Sequence, residues 1–410
     1  MSNFHAPSRR ELLLGSGVLF AWAHMPKVAL AEGRDPRLLV IILRGALDGL
    51  AAVSPVGDPG WVALRGEKGL ALDGLMPALP LDNFFALNPA MPNLHAMYQG
   101  KQALIVHAVA TPYRERSHFD GQDVLESGVN SPGSSDSGWL NRALAALDAD
   151  RHVTPPKQAF AVGPVTPLVV RGPAPILSWT PSHMPPAGQD TVMRLLDLYR
   201  HTDPVLARAL EERVGLAAIA GAGGTQMQQT QMGKGAGAAV RAYFENAAGA
   251  AAKFMSREDG PRVGALAFDG WDTHANEGTT NGRLAALLGA LDGALGAVQS
   301  GMGTTWGDTV VVVTTEFGRT AKINGTDGTD HGTATVALLA GGAVKGGRVV
   351  ADWPGIRDID LYEGRDLKPT TDLRAVLKGV LRDHLRVDEV RLAAEVFPDS
   401  EAVQALKGLV

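Results

Sequence analysis

Four apolar runs stand out along the chain, at 38–43, 103–109, 263–268 and 309–315, and a fifth runs over 334–340. Each is short, rich in Val, Ile, Leu or Ala and bounded by turn or polar residues. None shows strict polar alternation, which predicts strands buried on both faces, as in a parallel sheet. Between and after them lie helical patterns at 88–99, 117–127, 137–147, 237–255, 281–299 and 371–385. Strand followed by helix, repeated, predicts an α/β fold: a doubly wound, mainly parallel sheet with helices on both faces. The 150–180 stretch is Pro-rich and 215–237 is dominated by Gly, Ala, Gln and Met, so an inserted lid or subdomain is expected at roughly 150–237. No repeat of solenoid or propeller length is present. The simplest partition is a single domain over 32–410.

Composition narrows the function classes. The chain has 410 residues, with 38 Lys+Arg against 43 Asp+Glu and a net charge of −5, which argues against a nucleic-acid binder. With 45% hydrophobic and 20% charged residues it has ample material for a core. The absence of cysteine excludes disulfides, thiolate metal sites, iron–sulfur clusters and a cysteine nucleophile. At the N-terminus Ser8-Arg9-Arg10-Glu11-Leu12-Leu13 precedes a moderately apolar stretch, and Ala29-Leu30-Ala31 follows with small residues at cleavage spacing. This reads as a twin-arginine export signal over 1–31. It predicts the translocase of that route as a partner during export, and a periplasmic or extracellular location. The apolar stretch falls short of the roughly 20 residues a spanning helix needs, so no stable membrane span is expected.

In α/β sheets ligands bind beyond the carboxyl ends of the strands, and each major run leads into ionisable groups there. After 38–43 come Arg44-Gly45-Ala46-Leu47-Asp48-Gly49, where glycine permits close approach and Asp48 offers a hard oxygen ligand; the same Asp-Gly also reads as a plain turn. After 103–109 come Tyr113-Arg114-Glu115-Arg116-Ser117-His118-Phe119-Asp120. Ser117 stands where an N-cap would, with Asp120 three residues on. It is equally a candidate nucleophile, because a helix N-terminus favours an anion and Arg114, Arg116 and His118 add cationic or donor groups. After 263–268 come Asp272-Thr273-His274, whose i and i+2 side chains project to one side of an extended segment and can share a metal ion or pair with each other. After 309–315 come Glu316-Phe317-Gly318-Arg319-Thr320, then a loop carrying Asp327, Asp330, His331 and Gly332. Such convergence on one sheet edge would be an odd allocation for a purely structural protein. Carboxylate and imidazole donors without sulfur suit Zn²⁺, Mn²⁺, Fe, Mg²⁺ or Ca²⁺. His95, His107 and His384 lie within apolar patterns and read as satisfied imidazoles.

Taken together, these ordered segments, with Gly270-Trp271 and Gly328-Thr329 beside them, resemble an exported bacterial family, domain-of-unknown-function family 1501. That family is similar in organisation to the alkaline phosphatase and sulfatase superfamily, whose members hydrolyse phosphate or sulfate esters at a two-metal site. The resemblance implies an alkaline phosphatase-like α/β domain and an exported, metal-dependent hydrolase of phosphate, less so sulfate, esters. The substrate is then a small-molecule or surface-polymer ester, and the cofactor one or two divalent ions of Zn, Mn, Mg or Ca. It implies Ser117 as nucleophile, a metal set of Asp48, Asp272, His274, Glu316, Asp330 and His331, and substrate contacts from Arg44, Arg116, His118 and Arg319. In that scheme Asp48 and Glu316 hold the ion that activates Ser117, while Asp272, His274 and His331 hold a second. Two departures stand out: Phe317 occupies the place of a strand-end His, and Asp272 and His274 are closer together than the superfamily's usual pair. Ser117 also lacks the following Pro and Arg of formylglycine-type sulfatases. Phe317 motivates an alternative from another class, a catalytically silent member whose structural metal supports binding of a partner or glycan.

Overall fold

The computed structural model describes residues 20–23, 34–149, 160–161, 167–174, 177–179, 194, 199, 236–258 and 260–410. Apart from Phe20–Ala23, the segment read as an export signal lies outside the described residues, and so does most of the insertion expected at 150–237.

The strands are β1 (Phe20–Ala23), β2 (Arg37–Arg44), β3 (Val53–Ser54), β4 (Leu79–Pro80), β5 (Ala86–Leu87), β6 (Ala103–Ala110), β7 (Phe160–Ala161), β8 (Leu177–Trp179), β9 (Val263–Asp269), β10 (Thr309–Thr315), β11 (Thr335–Ala340), β12 (Arg348–Val350) and β13 (Thr371–Asp372). The main sheet runs β12-β6-β11-β10-β2-β9-β1-β7-β8, with β13 added to β6; β3, β5 and β4 form a small second sheet. Among the described residues the main helices are α1 (Gly49–Ala52), α2 (Trp61–Arg65), α3 (Pro92–Gln99), α4 (His118–Ser127), α5 (Trp139–Ala149), α6 (Ala236–Met255), α7 (Arg283–Met302) and α8 (Leu373–Leu385). The helix expected from residue 88 starts at Pro92, which stands in its first turn where the missing N–H costs nothing.

All eight residues of β2 are buried. Leu39, Ile41 and Leu43 enter one core with Val311, Val313, Leu266 and Phe268, covered by α3, α6 and α7. Leu38, Val40 and Ile42 enter the other with Val310, Val312 and Ala265, covered by α5 and α8. Successive side chains of a strand point to opposite faces, so a continuous apolar run serves both layers. The result is a three-layer α/β/α arrangement with a mostly parallel centre. By length and composition the helical stretch Arg283–Asp308 could cross a bilayer. Here it is a core element, with Leu284, Leu288, Leu291, Leu295 and Val298 buried in the first core.

The central strands β10, β2 and β9 are parallel and nearly in step, Thr315 beside Leu43 and Arg44 beside Asp269. Their carboxyl ends therefore open on one edge. β11 departs from the expected parallel order and runs antiparallel to both β10 and β6. The 316–334 segment contains no crossover helix, and without one the chain returns against the strand it left. With β11 reversed between them, β6 points the same way as β10. Its end, leading to Ser117, joins the same edge.

Candidate metal centre

The β6–α4 connection passes Arg116 in the left-handed region at φ +61° and delivers Ser117 as N-cap and His118 as the first residue of α4. Gly121, one turn on, lets the helix lie against Phe317, since an added Cβ would meet that ring at 2.9 Å. Phe317 is buried and stacks on the His118 imidazole, with centroids 5.1 Å apart. At the end of β2, Gly45 has φ +119°, and an added Cβ would lie 2.5 Å from the Asp272 backbone nitrogen. Only glycine allows the β2 and β9 ends to pass this closely.

Three imidazoles converge on the Asp272 carboxylate. His118 Nε2 lies 3.5 Å from Oδ2, and His331 Nε2 and His274 Nε2 lie 3.3 and 3.0 Å from Oδ1. The two nitrogens of His274 and His331 are 3.0 Å apart. Donor atoms of His118, Asp272 and His331 all fall within 4.8 Å of one another, a group able to hold a metal ion. In each ring the other nitrogen is tied back. Nδ1 of His118 pairs with Glu316 Oε1 at 2.8 Å, Nδ1 of His274 with Asp330 Oδ1 at 3.2 Å, and Nδ1 of His331 with the Arg116 carbonyl at 2.9 Å. Outer partners of this kind fix ring orientation and leave the inner nitrogen free for a metal. Burial disfavours charge on His118, but the flanking Asp272 and Glu316 carboxylates win and push its pKa up to about 9. Asp272 is held well below the usual carboxylate range: burial raises it, and bonds from His118, His331 and Arg319 more than offset that. The buried His118 Nε2 has the Asp272 carboxylate beside it only at the long distance of 3.5 Å, and a divalent ion between them would give it a closer partner.

The residues singled out in the sequence are distributed as follows. Asp272, His274, His331 and His118 meet in the cluster, where His118, expected on the substrate side, joins Asp272 and His331 in the group able to hold an ion. Glu316 and Asp330 stand behind it as ring anchors. The Glu316 carboxylate is fully buried and accepts from Gly45 N–H, His118 Nδ1 and Gln122 Nε2 on one oxygen and from Thr315 Oγ1 on the other. Despite its burial, these donors hold its pKa below the usual value.

Asp48 lies outside the group. Its oxygens take the Arg65 guanidinium at 2.8 and 3.2 Å, and one also caps α1 through Ala51 N–H. Arg319 reaches the cluster directly, its Nη1 donating to Asp272 Oδ1 at 2.6 Å. Arg44 pairs with buried Glu126, and Arg116 with Asp366 and Glu363. Thus each arginine expected to clamp a substrate anion already faces a protein carboxylate. The Ser117 side chain makes no capping bond, its backbone N–H donates to Tyr113 Oη at 3.2 Å, and its hydroxyl also pairs with Tyr113.

Sequence reasoning passed over Arg65 and Glu277. Both are buried. Burial and the nearby Asp48 charge push the Glu277 pKa up to about 7. An acid in the Ala275-Asn276-Glu277-Gly278 turn gives no pattern that marks it as buried. No curated protein matches the chain. The family model matches residues 87–397, a span that takes in every candidate donor and ring anchor and leaves Arg44 and Asp48 outside it: the chain belongs to the family described as Protein of unknown function (DUF1501).

Proposed function

We propose that the protein is an exported metal-dependent hydrolase of phosphate esters, with one divalent ion held by His118, Asp272 and His331 and with His274 on the solvent side. The observation that carries the reading is the set of three imidazoles converging on one carboxylate, each with its outer nitrogen already committed. That nitrogen-rich donor set suits Zn²⁺ or a similar transition ion better than Mg²⁺ or Ca²⁺, which prefer all-oxygen sites. When bound, the ion supplies Lewis-acid polarisation of a phosphoryl oxygen.

The chain's own groups do the rest. Ser117 is the N-cap residue of α4, beside backbone N–H groups that favour an anion, with its hydroxyl turned to Tyr113 and not bonded to those groups. Its Oγ forms the bond to phosphorus as the bond from phosphorus to the ester oxygen breaks, and the proton given up by the serine ends on that leaving oxygen; water then cleaves the phosphoserine, releases phosphate and restores the hydroxyl. Arg319 keeps Asp272 ionised and aimed inward. Phe317 closes the side of the His118 ring to water. Twin-arginine export of a chain folded around its ion accords with the N-terminal sequence.

The test is metal analysis of the protein together with turnover of phosphate mono- and diesters and sulfate esters. Ser117→Ala is expected to keep the ion and lose turnover. Full activity in that variant sinks the nucleophile, while a bound ion with no turnover in the wild type favours the binding protein that Phe317 suggests.

A further inference from the structure

We propose that Glu277 is the positioning residue of this centre: its carboxylate locks the two donor-bearing loops to each other through Thr273 and Thr329. The inference rests on the metal reading above.

Thr273 sits between Asp272 and His274, and Thr329 two residues before His331. Thr273 Oγ1 donates to Glu277 Oε1 at 2.7 Å and Thr329 Oγ1 donates to Oε2 at 3.0 Å, so one carboxylate spans both loops. The loops are also laced by Thr329 N–H to the Thr273 carbonyl, Asn276 N–H to Thr326 and Glu277 N–H to Asp327. Arg319 completes the circuit. Its Nε donates to Thr329 Oγ1 at 3.1 Å while Nη1 holds Asp272. Following the bonds from Asp272 through Arg319, Thr329, Glu277 and Thr273 returns to the residue next to Asp272.

The donor directions leave little choice. Thr329 Oγ1 already accepts a hydrogen bond from Arg319 Nε, so its own proton must go to an acceptor, and Thr273 uses the second oxygen of the same side chain. A carboxylate offers two; an amide offers one oxygen and turns a donor toward the other threonine. Glu277, Thr273, Thr329 and Arg319 are all buried, so water cannot stand in for the lost acceptor. The Glu277 carboxylate bonds to the two threonines and not to the candidate donors themselves. Its effect on them runs through loop spacing.

The experiment titrates Zn²⁺ and Co²⁺ alone into metal-free wild type, Glu277→Gln, Glu277→Asp, Thr273→Val and Thr329→Val at pH 8, where the carboxylate is charged. Imidazole NMR of the metal-free proteins runs beside it. Glu277→Gln is expected to weaken the affinity about 10- to 100-fold, the range for outer partners of metal sites. Glu277→Asp, which keeps two acceptors, should recover part of that loss. Combining Thr273→Val with Glu277→Gln should cost less than the two separate losses together, as for residues in one network.

A merely structural glutamate would lower the melting temperature and leave the dissociation constant alone. An affinity within twofold of wild type in folded Glu277→Gln therefore overturns the proposal. Should Glu277→Gln fail to fold, unchanged affinity in both valine variants overturns it equally. Wild type that takes up neither ion defeats the metal reading instead, and the rings then decide: moved His274 and His331 resonances in Glu277→Gln support positioning, and unmoved ones refute it.

Discussion

Glu316→Gln separates an anchor from a ligand. In the wild type, Oε1 accepts three donors, Gly45 N–H at 2.8 Å, His118 Nδ1 at 2.8 Å and Gln122 Nε2 at 3.0 Å; Oε2 takes Thr315 Oγ1 at 2.8 Å. A glutamine amide with its oxygen in the first position keeps all three donors. Its NH₂ then faces Thr315, whose hydroxyl also accepts from Leu47 N–H at 3.4 Å and must turn its own proton elsewhere, a cost to stability and not to the His118 ring. The fold should survive, and the change falls on the charge behind His118. A hydrogen bond to a charged partner contributes about 1.5–3 kcal/mol against about 1 for a neutral one, so roughly 0.5–2 kcal/mol of orientation is lost. That converts to about 2- to 30-fold in Zn²⁺ affinity at 25 °C. Competition against a chelator of known strength measures it, with circular dichroism to confirm the fold. Affinity within twofold of wild type would refute the anchoring argument. Loss beyond about a thousandfold would refute it from the other side, by making Glu316 a ligand in its own right.

Two further outcomes are expected. Asp48→Asn strips a buried arginine of its partner, the Arg65 and Asp48 side chains each being only 1% exposed; about 3–5 kcal/mol of stability should be lost in urea unfolding with metal stoichiometry unchanged. Intact stability with loss of the ion would restore Asp48 to a metal role. The protein should also weaken in mild acid through His107 and His384, whose pKa values burial pushes down to about 4. Unfolded imidazoles titrate near 6.5, so between there and about 4 only the unfolded chain gains these protons. Stability is full above about pH 6.5 and falls toward pH 4 by about 3 kcal/mol per histidine. Urea midpoints at pH 7 and 4.5 check this; His384→Gln should flatten the profile, and an equally steep profile in that variant would refute the assignment.

The strands were legible because Val, Ile and Leu in unbroken runs have few alternatives to a doubly covered sheet, and the α4, α5, α6, α7 and α8 patterns lie close to their helices. The direction of β11 was not legible. Ala334 to Ala340 would look the same in either sense, and what reverses it is the missing crossover in 316–334, a property of the connection. His107 shows the same division between run and environment. Its position in an apolar run pointed to a satisfied imidazole; that it is neutral follows from Nε2 facing the Val53 carbonyl and Nδ1 accepting Ala108 N–H.

At the centre, the sequence brought the right segments together but could not sort their roles. Each imidazole that offers a nitrogen inward needs an oxygen on its other side, so donors and anchors arrive as partners of similar chemistry. His118 and Glu316 are 198 positions apart, and nothing in either segment says which of the two faces inward. Asp48 carries the same ambiguity: an acid after a strand end reads as a ligand until Arg65 is seen to occupy both oxygens. The sorting is done by Gly45 and Gly121, which draw Asp272 toward the end of β2 and His118 toward Phe317. With those approaches made, Glu316 has Gly45 N–H on one side and His118 on the other, and it is left behind the ring. The site's inner and outer layers are thus set by two close backbone approaches, and substitutions there should exchange roles among residues whose own identities are untouched.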